Sequence, residues 1–257
     1  MKTLGFRTDL FFAHLSGEVL EHDGYTVVHT PSNPTYWWGN CLIFHRAPRL
    51  EDAAPWLEIF QREHPRAKHI AIGWDEAVPG ETAGFTTLEP GLALVESSVL
   101  TARALREPKR CNTDAELRAL HGDADWDARL ALTTAVKDWG FEFLSRENHA
   151  RREQTERGHG VWFGAFLAGQ LVSSLGVFNT GNGLGRFQIV ETHPEFERRG
   201  LAGTLAHYAG QYALEHLGVQ ELVIVADPEY HAQRLYESLG FAVAERQYTL
   251  ERPGSSD

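Results

Sequence analysis

The 257 residues contain two cysteines, Cys41 and Cys111, which excludes a disulfide framework and a multi-cysteine zinc site. Thirteen histidines are scattered without metal-ligand spacing, so no metal site is expected. No apolar run approaches the ~20 residues of a membrane-spanning helix. Residues 1–9 are charged early and lack the long apolar stretch of a secretory signal. Basic residues are in deficit, 24 against 35 acidic, which argues against a nucleic-acid partner. No Ser-His-Asp or Cys-His arrangement stands out. With 42% hydrophobic and 23% charged residues, wholesale disorder is also excluded. The expectation is a cytoplasmic globular protein with neither membrane nor nucleic acid as partner. Its acid excess is compatible with a cationic small substrate.

What is present reads most clearly in the second half. Ala115–Leu120 predicts a short strand, Ala128–Val136 a helix after the N-cap-rich Asp123–Asp127, and Asn148–Arg157 a polar helix. Val161–Leu167 and Leu171–Phe178, split by Ala168-Gly169-Gln170, predict a hairpin. Gly185–Thr192 is a further strand, residues 199–217 a helix stopped at Gly218, and Leu222–Val225 a strand buried on both faces. His231–Ser238 is a short helix, and Phe241–Glu251 holds one or two last strands. In the first half, Val19–Thr30 and Thr35–His45 read as strands, with Trp37 and Trp38 in the second. Glu51–Glu63 reads as a helix, and His69–Trp74 and Leu92–Val99 as strands. Glu81–Phe85 ends in a Gly-Phe step that Glu237–Phe241 repeats, as a diverged internal duplication would. The junction is expected near Arg106–Thr113.

Val190 to Leu205 carries the strongest chemical signal. A strand ends, the chain turns at Pro194, and Arg198-Arg199-Gly200-Leu201-Ala202-Gly203-Thr204 opens a long helix. The first turn of a helix presents free N–H groups and a positive dipole end, which favours an anion. Small residues let a phosphate approach the backbone, and the arginines add charge. About 30 residues on comes Ala232-Gln233-Arg234-Leu235-Tyr236-Glu237-Ser238-Leu239-Gly240-Phe241. The turn and this helix together resemble the GNAT superfamily of acyl-CoA-dependent N-acetyltransferases, over about residues 113–251. The resemblance implies an α/β (α+β) chain of tandem GNAT-like folds, each a mixed, mostly antiparallel sheet flanked by helices. Residues 1–110 would be a degenerate copy, because its equivalent turn, His45–Glu51, has no glycine. Residues 111–257 would be the catalytic, acetyl-CoA-binding copy.

By the same resemblance, Val190, Glu191 and Thr192 form the strand edge that binds the pantetheine arm and acetyl carbonyl. Glu197, Arg198, Arg199, Gly200, Leu201, Ala202, Gly203 and Thr204 match the pyrophosphate loop. Glu197 departs from the family's Gln or Arg and is expected to face solvent. Glu229 replaces an asparagine that many members place beside the cofactor. Tyr236 matches the tyrosine that protonates the departing thiolate, and packing is the alternative role for its ring. An amine acceptor needs a base, and Glu191 is the candidate, with His193 expected on the same strand face. The alternatives there are a solvated glutamate, a turn histidine and deprotonation through water. The expected activity is acetyl transfer from acetyl-CoA to a primary amine of a small molecule or peptide, by a monomer or homodimer. A non-catalytic acyl-CoA sensor or interaction module is the alternative. A transferase using an aminoacylated donor is a third reading, against which the pyrophosphate loop counts.

Overall fold

The structure, a computed structural model, describes residues 1–228 and 231–254. In chain order the elements are α1 (Leu4–Ser16), β1 (Glu18–His22), β2 (Tyr25–His29), β3 (Cys41–Phe44), α2 (Ala53–Glu63), β4 (Ile70–Trp74), α3 (Ala83–Leu88) and β5 (Ala93–Ala102). There follow β6 (Glu116–Ala119), α4 (Gly122–Val136), α5 (Phe141–Glu156), β7 (Gly160–Leu167), β8 (Gln170–Asn179), β9 (Leu184–Thr192), α6 (Leu201–His216), β10 (Glu221–Ala226), α7 (His231–Ser238) and β11 (Ala242–Arg252). The fold is mixed α/β, with mostly antiparallel sheet flanked by helices.

Two compact units divide the chain: residues 1–99 with 245–257, and residues 100–244. The division differs from the one drawn on sequence at both ends. The boundary falls inside β5, and most of the last strand joins the first unit, because Thr249–Arg252 pairs antiparallel with Ile70–Gly73. In the first unit β1, β2 and β3 are antiparallel neighbours and β3 pairs parallel with β4 across the crossover helix α2. All residues of β3 and β4 are buried, as expected for central strands covered on both faces.

Three readings of this half change. Val19–Thr30 is a hairpin, turned at Asp23-Gly24 with Gly24 at φ 88°, rather than one strand. Trp37 and Trp38 lie in a 3₁₀ turn, Trp37–Gly39, and only Cys41–Phe44 of the expected strand is extended. Helix α1 is new. The residues leading into it are anchored by the Asp75 carboxylate, which accepts from the backbone N–H of Lys2 (2.6 Å) and Thr3 (2.8 Å) and from the Thr3 hydroxyl (2.7 Å), and the first-turn Gly5 N–H donates to Glu245 (2.9 Å).

In the second unit β6, β7, β8 and β9 run antiparallel and β9 pairs parallel with β10 across the crossover helix α6. Helix α6 packs on one face of this sheet. Its Leu205, Ala206, Ala209 and Ala213 meet Phe163, Leu175, Val177 and Phe187 in an apolar core. The small residues keep the helix close to the strands. Gly218, at φ 65°, follows its last turn. Helix α5 starts at Phe141, seven residues before the expected Asn148.

Candidate active site

The face of the second unit's sheet opposite α6 carries buried polar groups beside the rings of Trp162 and Phe178. Trp162 lies opposite Gly176 and Ser174 opposite Glu191, so these side chains share one face. Strict alternation along β9 would not put Glu191 there. Between the pairs Ser174–Glu191 and Gly176–Gln188, the single residue Leu175 faces two, Ile189 and Val190. This β-bulge turns Glu191 onto the face that carries Gln188. Its geometry is strained: Ile189, a β-branched residue, has φ 43°. Parallel pairing of β9 with β10 covers only Leu184–Arg186 and Glu221–Val223. Beyond Arg186, the β9 backbone has no ladder partner on its β10 side among the described residues.

Glu191 is buried, 4% exposed. Its Oε1 accepts from the hydroxyls of Thr133 on α4 (2.6 Å) and Ser174 on β8 (3.1 Å), whereas Oε2 has no partner among the described residues. Burial raises its pKa above the ordinary carboxylate range, against the opposing pull of Arg129, Thr133 and Ser174. Arg129, wholly buried on α4, does not hydrogen-bond to it. Arg129 gives Nη1 to Asn148 (2.6 Å) and Nη2 to Glu147 (3.0 Å), and lies over the Trp162 ring at 4.0 Å. Glu147 also accepts from Arg151 (2.8 Å). Burial would raise the Glu147 pKa, but the charges and hydrogen bonds of Arg129 and Arg151 outweigh it and hold it below the usual range. Arg129 Nε and Trp162 Nε1 join Glu191 Oε2 as buried polar atoms without a partner among the described residues. Unpaired polar atoms at such burial cost about 1–3 kcal/mol each, a cost that a polar group or water reaching them would offset.

The start of α6 forms a second feature. The backbone N–H groups of Arg198, Arg199, Gly200, Leu201 and Ala202 have no acceptor among the described residues. Arg198 (φ 58°) and Gly200 (φ 80°) are left-handed, a conformation that gathers successive N–H groups into an anion-binding concavity. Arg198 is exposed and unpaired among the described residues, whereas Arg199 donates to the Glu195 carbonyl (3.1 Å) and lies over Phe196. Glu197 is exposed. The donor set suits a polyphosphate.

The glycines here answer to packing. A Cβ on Gly200 would come within 2.5 Å of the Arg110 carbonyl oxygen, and one on Gly203 within 3.1 Å of Leu235. Leu201 is core, and the Thr204 hydroxyl donates to Gly200 O (2.8 Å) while accepting from Asn112 N–H (2.9 Å). Tyr236 is buried, with its ring tilted against Phe241 at 6.1 Å between centroids. His193 does not join Glu191. It caps the 3₁₀ turn Pro194–Phe196, its Nδ1 accepting from Glu195 N–H (3.3 Å). Glu229 lies outside the described residues. Sequence reasoning missed Thr133, Arg129, Glu147 and Trp162. The alternation of Trp162 with Ser174 across the hairpin was the available signal, but the bulge hid their link to Glu191.

Among the described residues no group of His, Cys, Asp and Glu is arranged to hold a metal, and no helix is long and apolar enough to cross a membrane. Residues 129–241 match the model of the Acetyltransferase (GNAT) family. No curated protein matches the chain. Among solved structures, a functionally unknown conserved protein from Staphylococcus epidermidis is 14% identical, with a TM-score of 0.75 over 94% of this chain and 96% of its own. A GCN5-related N-acetyltransferase from Kribbella flavida is 17% identical, with a TM-score of 0.69 over 98% of both chains. A tandem GNAT protein from the clavulanic acid biosynthesis pathway is 16% identical, with a TM-score of 0.53 over 78% of this chain and 68% of its own. At these identities the likeness is one of fold.

Proposed function

We propose that this chain, whose residues 129–241 match the acetyltransferase (GNAT) family, is an acyltransferase that transfers an acetyl group from acetyl-CoA to a primary amine of a small molecule or peptide. The observation that carries this reading is the buried Glu191 carboxylate, held by two hydroxyls on one oxygen and without a partner on the other among the described residues, beside a strand bulge. Bound acetyl-CoA would supply an acetyl group activated as a thioester. The α6 N-terminus, with its free N–H groups and Arg198, would take the phosphates. The unpaired edge of β9 around Val190 and Thr192 would take the pantetheine arm by backbone hydrogen bonds. An alkylammonium of pKa ~10 must lose a proton before its nitrogen can attack a carbonyl carbon. Glu191 Oε2 would accept that proton, and the burial that raises the Glu191 pKa makes it the stronger base.

Tyr236 would return a proton to the departing sulfur, a task suited to a phenol of pKa ~10. Tyr236→Phe is expected to lower amine-dependent turnover about a hundredfold while CoA affinity stays within about twofold. Steady-state kinetics beside calorimetry check this, and unchanged turnover would remove the role.

The first unit would be a decayed second copy. It has antiparallel strands followed by one parallel pair across a crossover helix, as the second unit has. Its helix start carries its own anion: the Asp52 carboxylate accepts from Arg49 N–H (2.7 Å) and pairs with both Nη atoms of Arg46 (2.5 and 2.7 Å). The hydrogen bonds from Arg46 hold Asp52 below its usual pKa. A phosphate group would find the Arg49 N–H and the Arg46 guanidinium already taken by Asp52.

Calorimetric titration with acetyl-CoA, followed by CoA release across a panel of amines, tests the whole reading. One site per chain and amine-dependent release are expected. Binding without release for any amine would favour a non-catalytic acyl-CoA module, and absence of binding would overturn the donor.

A further inference from the structure

The segment that precedes β6 runs over the start of α6, and three observations fix it there. Asn112 N–H donates to the Thr204 hydroxyl (2.9 Å), and Asn112 Nδ2 donates to the Arg199 carbonyl (3.1 Å). The Arg110 carbonyl approaches so closely that a Cβ on Gly200 would meet it at 2.5 Å. Pro108 lies against Gly203, 3.6 Å from where its Cβ would stand. Residues 108–112 are therefore a strap clamped to the first turn of α6.

The strap carries Lys109 and Arg110, both exposed and without a hydrogen bond or ion pair among the described residues. The Arg110 side chain leaves the backbone beside the free N–H groups, its Cγ 3.2 Å from the Gly200 Cβ position. Two unpaired guanidiniums, Arg110 and Arg198, thus border one cluster of N–H donors in a chain of net charge −11. Like charges placed together at a positive helix end repel one another unless an anion joins them.

We infer that Arg110, on the strap, is a phosphate ligand of the acyl donor and completes the anion site together with Arg198 and the α6 N–H groups. The inference rests on the acetyl-CoA reading above and adds a residue from outside the 129–241 domain match. Guanidinium is suited to the task, since its fork pairs two donors with two phosphate oxygens and stays charged at any working pH. It also gives Gly200 and Asn112 a purpose beyond the turn: they hold the strap at a fixed distance from the phosphates.

The test is calorimetric titration of the full chain with CoA and with 3′-dephospho-CoA, for the wild type, Arg110→Glu, Arg110→Lys and Arg103→Glu. Arg103 is exposed on the same segment, is paired with Glu221 (3.4 Å), and serves as a charge-matched control. Arg110→Glu is expected to weaken CoA at least tenfold, and Arg110→Lys only about threefold, because charge persists while the fork is lost. Arg103→Glu should change CoA affinity less than about twofold at ordinary ionic strength. Equal losses for CoA and 3′-dephospho-CoA assign Arg110 to the pyrophosphate. A loss confined to CoA assigns it to the 3′-phosphate. If the wild type binds CoA and Arg110→Glu binds it equally well, or if Arg103→Glu weakens it as much, the strap's role is overturned while the donor reading stands. If the wild type binds no CoA, both fail.

Discussion

Replacing Glu191 by glutamine should leave CoA binding intact and lower amine-dependent CoA release at least about a hundredfold. The amide keeps a carbonyl oxygen for the Thr133 and Ser174 hydroxyls, so the local geometry has no reason to collapse. What disappears is the lone pair on Oε2, because the position then carries an NH₂ donor that can take no proton. The pH dependence should change with it. In the wild type the acid limb of the rate should lie above the ordinary carboxylate range, since burial raises the Glu191 pKa; in the variant that limb should vanish. Stability supplies the control. A carboxyl whose folded pKa is raised above its ordinary value of 4.5 binds protons more tightly folded than unfolded. It therefore subtracts stability once pH rises past 4.5 toward the folded pKa, and Gln removes that cost. Thermal melting at neutral pH should be unchanged or higher. A variant that keeps turnover within about threefold, or that loses stability in step with activity, would remove Glu191 as the base.

Several parts of this site were legible in the chain because they rest on local pattern. The α6 start could be read from Pro194, Arg198 and Gly200, since a turn, charge and a left-handed residue all write themselves into a few adjacent positions. Central strands such as Ile70–Trp74 and Leu222–Val225 announced themselves as unbroken apolar runs. Helix α1 did not, because its ends depend on distant residues. Asp75 anchors Lys2 and Thr3, just before the helix, from 73 and 72 positions away, and Gly5, a poor helix former, lies where a Cβ would collide with Gln247. The environment of Glu191 was hidden for a related reason. A bulge breaks the two-residue period that sequence reasoning relies on, and only the register of β8 against β9 reveals it. His193 was misplaced by the same assumption of alternation past Thr192, where the chain had already left the strand. The strap was unread because Arg110 gains its meaning from Gly200, ninety positions later.

Acidification from pH 7 to 4 should weaken the first unit and spare or strengthen the second. His64, at the end of α2, is buried; its Nε2 lies 3.3 Å from the Cys41 carbonyl oxygen and its ring 4.7 Å from that of His29. Burial, then the neighbouring His29, lowers its pKa to about 4 from the ordinary value of 6.5. His69, buried against the Asn40 carbonyl (2.8 Å), is lowered by burial as well. Between pH 6.5 and 4 the unfolded chain binds these protons and the folded chain does not, so stability falls as pH falls. For His64 the full shift is worth about 3 kcal/mol, reached near pH 4. The weak opposing pull of Glu63 is smaller than the burial cost. Asp52, whose pKa is lowered below 3.8, loses its ion pair only at more acid pH and does not confuse this window. Glu191 acts with the opposite sign: its raised pKa means that protonation above pH 4.5 relieves the second unit. Hydrogen exchange read peptide by peptide, corrected for intrinsic rates, separates the two. Amides of β4 should lose protection as pH falls from 6.5 to 4, while those of β8 should not. His64→Phe keeps an aromatic ring and removes the titration, so it should flatten the β4 response even if it shifts overall stability. A β4 response that survives His64→Phe undiminished would mean that carboxylates, and not the buried imidazole, set the acid limit of the first unit.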